Sequence, residues 1–146
     1  MRFQIVSIGR ERADSTAPLV ADYASRINKF IPLELRVLRA DRADRVAAQL
    51  RDIENKSDVA VALDERGVTY TSAAFSDVMA SWMNRGLSLV SFLIGGADGF
   101  PATVKENADL LFSLSRLTLP HRLARLLLVE QLYRALCRMR NVPYQK

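Results

Sequence analysis

Three glycines in five residues, Gly95-Gly96-Ala97-Asp98-Gly99, follow the apolar run LSLVSFLI of residues 87–94. Glycine lets the backbone approach a ligand closely, so this loop is the first candidate for binding chemistry. It is not a dinucleotide fingerprint, which reads Gly-x-Gly-x-x-Gly after a first strand, and the chain carries no Walker A sequence. A tight strand-to-helix turn that binds nothing would use the same residues. A second loop, Ser115-Arg116-Leu117-Thr118-Leu119-Pro120-His121, places Leu117, Leu119 and Pro120 where neither helical nor strand periodicity accounts for them. Surface loops are normally polar. Facing the glycine loop, these residues would form a slot for a flat, uncharged ring such as adenine, held by backbone hydrogen bonds; as an alternative they plug the core or a subunit contact. His121 is the only histidine. It can orient a ring or accept a proton there, or it can simply cap the helix that follows. Asp98 reads as a turn residue rather than a proton acceptor. Tyr144 is either a stacking platform for an RNA base or a tail aromatic pinned against the domain.

Charge points to a polyanion at the same end. Residues 116–146 hold six arginines and Lys146 against Glu130 alone, a net +6, whereas the whole chain is +5, so the remainder is −1. Cationic side chains gain by releasing counterions from phosphates, although solvated arginines chosen for solubility would give the same count. The 146 residues suit one domain, and 49% apolar with 25% charged residues is an ordinary globular composition. No stretch approaches the ~20 apolar residues of a membrane span, and the N-terminal apolar run is too short for a signal peptide, so a cytoplasmic protein is expected. Cys137 is the only cysteine, which rules out an intrachain disulfide and reads as a buried thiol.

The elements that must position these loops alternate in type. A strand is expected over residues 3–8 (FQIVSI). A helix follows, capped by Ser15 or Thr16, with Leu19, Tyr23 and Ile27 on one face, and Pro32 stops it. Residues 33–38 alternate as a strand with one wetter face, and 43–53 align Val46, Leu50 and Ile53 on a helix. The continuous apolar run 59–63 suits a strand buried on both faces, ended by a turn at Asp64-Glu65-Arg66-Gly67. Thr71 or Ser72 caps a helix to about residue 84, with Phe75, Val78, Met79 and Trp82 inward, ended by Arg85-Gly86. After the fourth strand, Pro101 opens a short helix to about residue 107. Residues 110–114 form a fifth strand and 122–139 a long helix. This is an α/β layer architecture around a mostly parallel sheet. Ligands in such folds sit beyond the carboxyl ends of the strands, which gathers Leu63 and both loops on one rim.

LIGGADG at residues 93–99, SLSRLTLPHRLARLLLVEQLYRA at 113–135 and VPYQK at 142–146 resemble the signature blocks of the ribosomal RNA large subunit methyltransferase H family. FQIVSIGR at the start, the segment from Tyr23 to Arg26 and LDERG at 63–67 also fit, so the resemblance covers nearly the whole chain. It implies a single α/β knot (SPOUT) domain over residues 1–146, trefoil-knotted, with five to six mostly parallel strands and helices on both faces. It implies S-adenosylmethionine held by Leu63, Gly96, Ser115, Arg116, Leu117, Thr118, Leu119 and Pro120, mostly through backbone groups, and no metal. The implied reaction is methylation of N3 of a pseudouridine in 23S ribosomal RNA, with His121 and Tyr144 as catalytic candidates and Arg122 and Lys146 as RNA contacts. The alternative is a ribosome- or RNA-binding protein of the same fold without catalysis. Relatives usually carry His then a basic residue after the Pro-Tyr pair; here Gln145 stands first, which puts a proton-transfer role at that position in doubt. The resemblance also implies a homodimer, consistent with leucines around much of the last helix. In that arrangement Glu130 is expected to find an arginine of the other chain.

Overall fold

The computed structural model describes residues 1–10 and 14–144. Five strands form one sheet: β1 (Arg2–Ile8), β2 (Leu33–Leu38), β3 (Val59–Thr69), β4 (Leu89–Ile94) and β5 (Leu110–Ser113). Five helices alternate with them: α1 (Ala17–Ile27), α2 (Ala43–Lys56), α3 (Ser72–Asn84), α4 (Ala102–Asn107) and α5 (His121–Met139). The strand order is β2-β1-β4-β3-β5, and every pair is parallel.

Alternation along the strands divides the core into two layers. Phe3 and Ile5 of β1 and Val90, Phe92 and Ile94 of β4 face α1, α3 and α5, while Val6, Ile8 and Leu93 face α2 and α4. The larger layer is aromatic at its centre. Phe75 stacks on Phe112 with ring centroids 4.8 Å apart, and Phe3 meets Phe92 edge-on at 5.8 Å. Helix α5 crosses this layer with Leu128, Leu132 and Leu136 buried one turn apart, each contributing about 2 kcal/mol of burial. The smaller layer is closed by Val46, Leu50 and Ile53 of α2, the spacing expected of that helix.

Several expectations are corrected. The DERG segment is not a turn that ends a strand but lies inside β3. Leu63 and Val68 both stand opposite Phe112, so the residues between them are an irregular insertion after which pairing with β5 resumes. Gly67 is required there, because a Cβ would lie 2.5 Å from the Leu111 carbonyl carbon and oxygen. Helix α1 turns Val20, Ala24 and Ile27 inward, while Leu19 is 51% exposed. Its start is held not by a Ser15 or Thr16 side chain but by Asp14, whose carboxylate accepts from the Thr16 amide at 2.7 Å, the Thr16 hydroxyl at 2.5 Å and the Ala17 amide at 3.1 Å. Glu130 has partners in its own chain: Arg134 at 2.6 Å, the Gln131 amide at 2.6 Å and the Tyr144 hydroxyl at 3.3 Å.

Candidate functional site

The insertion within β3 and the segments leaving β4 and β5 meet at one rim of the sheet. They enclose a cavity of about 730 Å³ lined by Leu63 to Arg66, Ile94 to Ala97, Gly99, Phe100, Lys105, Phe112, Leu114, Ser115, Leu117 to His121 and Ala124. The volume lies within the ~300–1,000 Å³ usual for small-molecule sites. One wall is backbone. Gly99 donates its amide to the Gly96 carbonyl at 3.0 Å with φ +74°, closing a tight hairpin in the glycine loop. A Cβ on Gly95 would come 3.0 Å from the Gly99 carbonyl carbon, so the loop is compact only because no side chain intervenes. The opposite wall is apolar, made by Leu63, Leu114, Leu117, Leu119 and Pro120.

The long second loop travels far. β5 is the outer strand beside β3, yet α5 begins next to β1: a Cβ on Gly9 would lie 4.0 Å from His121 Nε2, and Arg122 pairs with Asp14 at 2.9 Å. Residues 114–120 therefore pass over the insertion in β3 and the end of β4. The insertion in β3 ties them down. Thr118 donates its hydroxyl to the Glu65 carboxylate at 2.7 Å, Arg116 donates to the Glu65 carbonyl at 3.0 Å, and the Leu117 amide donates to Ser115 Oγ at 3.0 Å. The residues misread as a turn are thus what anchors the loop.

Of the expected site residues, Leu63, Gly96, Ser115, Leu117, Thr118, Leu119, Pro120 and His121 all line the cavity. Arg116 does not; its guanidinium is turned back onto Glu65. Arg122 lies beside His121, with its charge engaged by Asp14. Tyr144 is also outside the cavity. Its hydroxyl meets that of Tyr23 at 2.8 Å, and its ring packs edge-on against Tyr133 and under Arg134. Burial, then the Tyr23 hydrogen bond and the negative field of Glu130, push its phenol above the ordinary value. Lys146 and Gln145 lie outside the described residues.

Sequence reading missed Asp64 and Lys105. Asp64 is 9% exposed in the cavity wall and forms an ion pair with Lys105 of α4. That hydrogen bond holds its carboxyl below the ordinary value against the opposing effect of burial. The only signal was an acidic residue at the strand end, which the turn reading absorbed. Among the described residues no group of histidine, cysteine, aspartate or glutamate side chains could hold a metal, and no helix is long and apolar enough to cross a membrane.

A family model described as "Predicted SPOUT methyltransferase" matches residues 1–145. The ribosomal RNA large subunit methyltransferase H of Anaeromyxobacter sp. (strain Fw109-5) is 41% identical over an alignment covering 100% of both chains. That of Polynucleobacter asymbioticus (strain DSM 18221 / CIP 109841 / QLW-P1DMWA-1) is 38% identical, covering 100% of this chain and 99% of the other. Among solved structures, a probable methyltransferase from Bordetella pertussis Tohama I superposes with a TM-score of 0.60 at 11% identity, over 92% of this chain and 96% of that one, a likeness of fold alone.

Proposed function

The chain belongs to the SPOUT methyltransferases, within them to the ribosomal RNA large subunit methyltransferase H family, and from that membership we propose that it methylates N3 of a pseudouridine in 23S ribosomal RNA with S-adenosylmethionine as methyl donor. The observation that carries this reading is the convergence of the β3 insertion and the ends of β4 and β5 around one cavity, with a glycine-loop wall and a leucine-rich loop, at the start of the basic helix. The chemistry of that lining suits the donor. An adenine ring needs apolar faces, which Leu63, Leu117, Leu119 and Pro120 offer, and backbone partners, which the Gly95 to Gly99 hairpin and residues 115–118 supply. The family's trefoil knot belongs to the same reading.

When bound, S-adenosylmethionine supplies a methyl carbon already activated by its sulfonium. What the chain must add is alignment of the acceptor nitrogen and removal of its proton. In this reading His121, at the cavity edge and at the first turn of α5, takes or orients the N3 proton through an imidazole nitrogen. Arg122 and Lys146 contact RNA phosphates. Tyr144 lies away from its own chain's cavity, so contact with a base requires that of a second copy. A homodimer also supplies cover for Leu123 and Leu127, one turn apart on α5 and 44% and 41% exposed, and for Leu19 on the adjoining α1. We read the protein as a cytoplasmic ribosome-modifying enzyme.

The test is methyl transfer from labelled S-adenosylmethionine to ribosomes lacking the modification, with the product nucleoside identified by mass spectrometry. Label in N3-methylpseudouridine is expected. RNA binding without transfer would leave the non-catalytic alternative standing.

A further inference from the structure

A smaller cavity of about 150 Å³ lies on the far side of His121, which lines both. It is walled by Ser7 at the end of β1, Thr16 just before α1, Val20 of α1, and Arg122 and Arg125 of α5. Two of its polar groups are unusual. Ser7 is 5% exposed, and its hydroxyl has no hydrogen-bond partner among the described residues. Arg125 Nε is likewise buried and unpartnered, and Arg125 makes no ion pair among the described residues. The rest of the half-buried Arg125 guanidinium is not sequestered, but a buried N–H and a buried hydroxyl without partners are each costly. Two such groups converging on one small space describe a binding site for something that accepts hydrogen bonds and carries negative charge. The carboxylate already there cannot serve. Asp14 gives one oxygen to the turn that starts α1 and the other to Arg122.

We propose that this cavity is an anion subsite that seats a backbone phosphate of the RNA substrate beside the methyl-transfer cavity, with Arg125 as its cation and the Ser7 hydroxyl as a donor. The inference rests on the RNA methyltransferase reading above and deepens it. The two unpartnered groups, Arg125 Nε–H and the Ser7 hydroxyl, both have a hydrogen to donate, and two donors with a cation suit a phosphate better than a base edge, which offers donors as well as acceptors. The cavity, about 150 Å³, has room for a phosphate with a few waters. A guanidinium can meet a phosphate with two parallel N–H donors, which a lysine cannot. Arg125 is a positioning residue here. It fixes the register of the strand so that the base of the same nucleotide reaches His121.

The competing source of an anion is the carboxylate of S-adenosylmethionine itself, and the experiment separates the two. Wild type, Arg125→Gln, Arg125→Lys and Ser7→Ala are compared by calorimetric titration with S-adenosylmethionine. Fluorescence anisotropy with a labelled single-stranded oligouridylate follows, over roughly 50 to 200 mM salt. The expected result is unchanged donor affinity in all four. Arg125→Gln should weaken RNA binding about tenfold at low salt and lower the salt slope by about one. Arg125→Lys should keep the slope but lose part of the affinity, and Ser7→Ala should lose affinity at constant slope. Weaker donor binding in Arg125→Gln with RNA binding intact would assign the subsite to the carboxylate and overturn the proposal. RNA binding unchanged in a folded Arg125→Gln would overturn it as well. Failure of the wild type to bind S-adenosylmethionine would instead strike the methyltransferase reading itself.

Discussion

Gly67→Ala tests whether the β3 insertion builds the cavity. A Cβ at this position would lie 2.5 Å from the Leu111 carbonyl carbon and oxygen and 2.7 Å from the Phe112 amide nitrogen. Ordinary contact begins at 3.4 Å, so β5 has to retreat by about 0.9 Å, and it is backbone that must move. That motion disturbs the stacking of Phe112 on Phe75 and shifts the residue pair, Ser113 and Ser115, that starts the second loop. Overpacking of this kind costs ~1–3 kcal/mol, offset in part by the lower entropy of an unfolded alanine. A net loss of about 2 kcal/mol should lower Tm by roughly 5–10 °C in a chain of this size. Thermal unfolding measures this, and titration with S-adenosylmethionine should show weakened binding in the folded variant. Gly86→Ala is the control. Gly86 has φ +72° with nothing within 4 Å, so alanine should cost about 1 kcal/mol of left-handed strain and leave binding unchanged. Equal stability and equal donor affinity for Gly67→Ala and wild type would refute the close approach of β3 and β5.

Two further predictions concern carboxylates in opposite situations. Lys105→Met removes the cation from the largely buried Asp64 and should cost on the order of 1 kcal/mol at neutral pH, the half-exposed lysine being partly screened. Because Asp64 is held below 3.8, its contribution is present above that value and lost as pH falls through the folded value, so urea midpoints of wild type and variant should converge in acid. Glu54 is 7% exposed with neither carboxylate oxygen partnered among the described residues, and burial raises its pKa above 4.5. Its protonated form is the one the fold favours, so stability is fully present below 4.5 and lost as pH rises through the folded value. Glu54→Gln should therefore stabilise the protein by on the order of 1 kcal/mol at pH 7–8, with the gain vanishing as pH falls toward 4.5; a constant gain across that range would contradict the assignment.

Local signals were readable where chemistry and geometry are local. The alternation of residues 33–38 coincides with β2, and Thr71 does cap α3, its hydroxyl accepting the Ala74 amide at 3.1 Å. Gathering Leu63 with the loops after β4 and β5 was legible because neighbouring parallel strands run level there, Ala62 beside Leu93 and Leu63 beside Phe112, although β3 itself continues to Thr69. What escaped depends on partners far along the chain. Nothing near Asp64-Glu65-Arg66-Gly67 reveals that β5 pairs on both sides of it or that Glu65 holds Thr118, so charges and a glycine read as a turn. The inward face of α1 was misjudged by one residue because two apolar stripes share Ile27, and only packing against α5 favours Val20 and Ala24. Glu130 is the opposite case, since Arg134 one turn on was visible as an i,i+4 partner.

The central claim is that the rim cavity binds S-adenosylmethionine, and calorimetric titration of the wild type beside Gly96→Trp tests it most directly. A Cβ on Gly96 meets the Ile8 side chain and carbonyl at 3.4 Å, so an indole at this position has to displace the glycine loop that walls the cavity. Saturable binding of one donor per chain to the wild type, and none to a Gly96→Trp variant with the same circular dichroism, is the predicted result. A folded wild type that releases no heat with S-adenosylmethionine, or a Gly96→Trp variant that binds it equally well, would contradict the account.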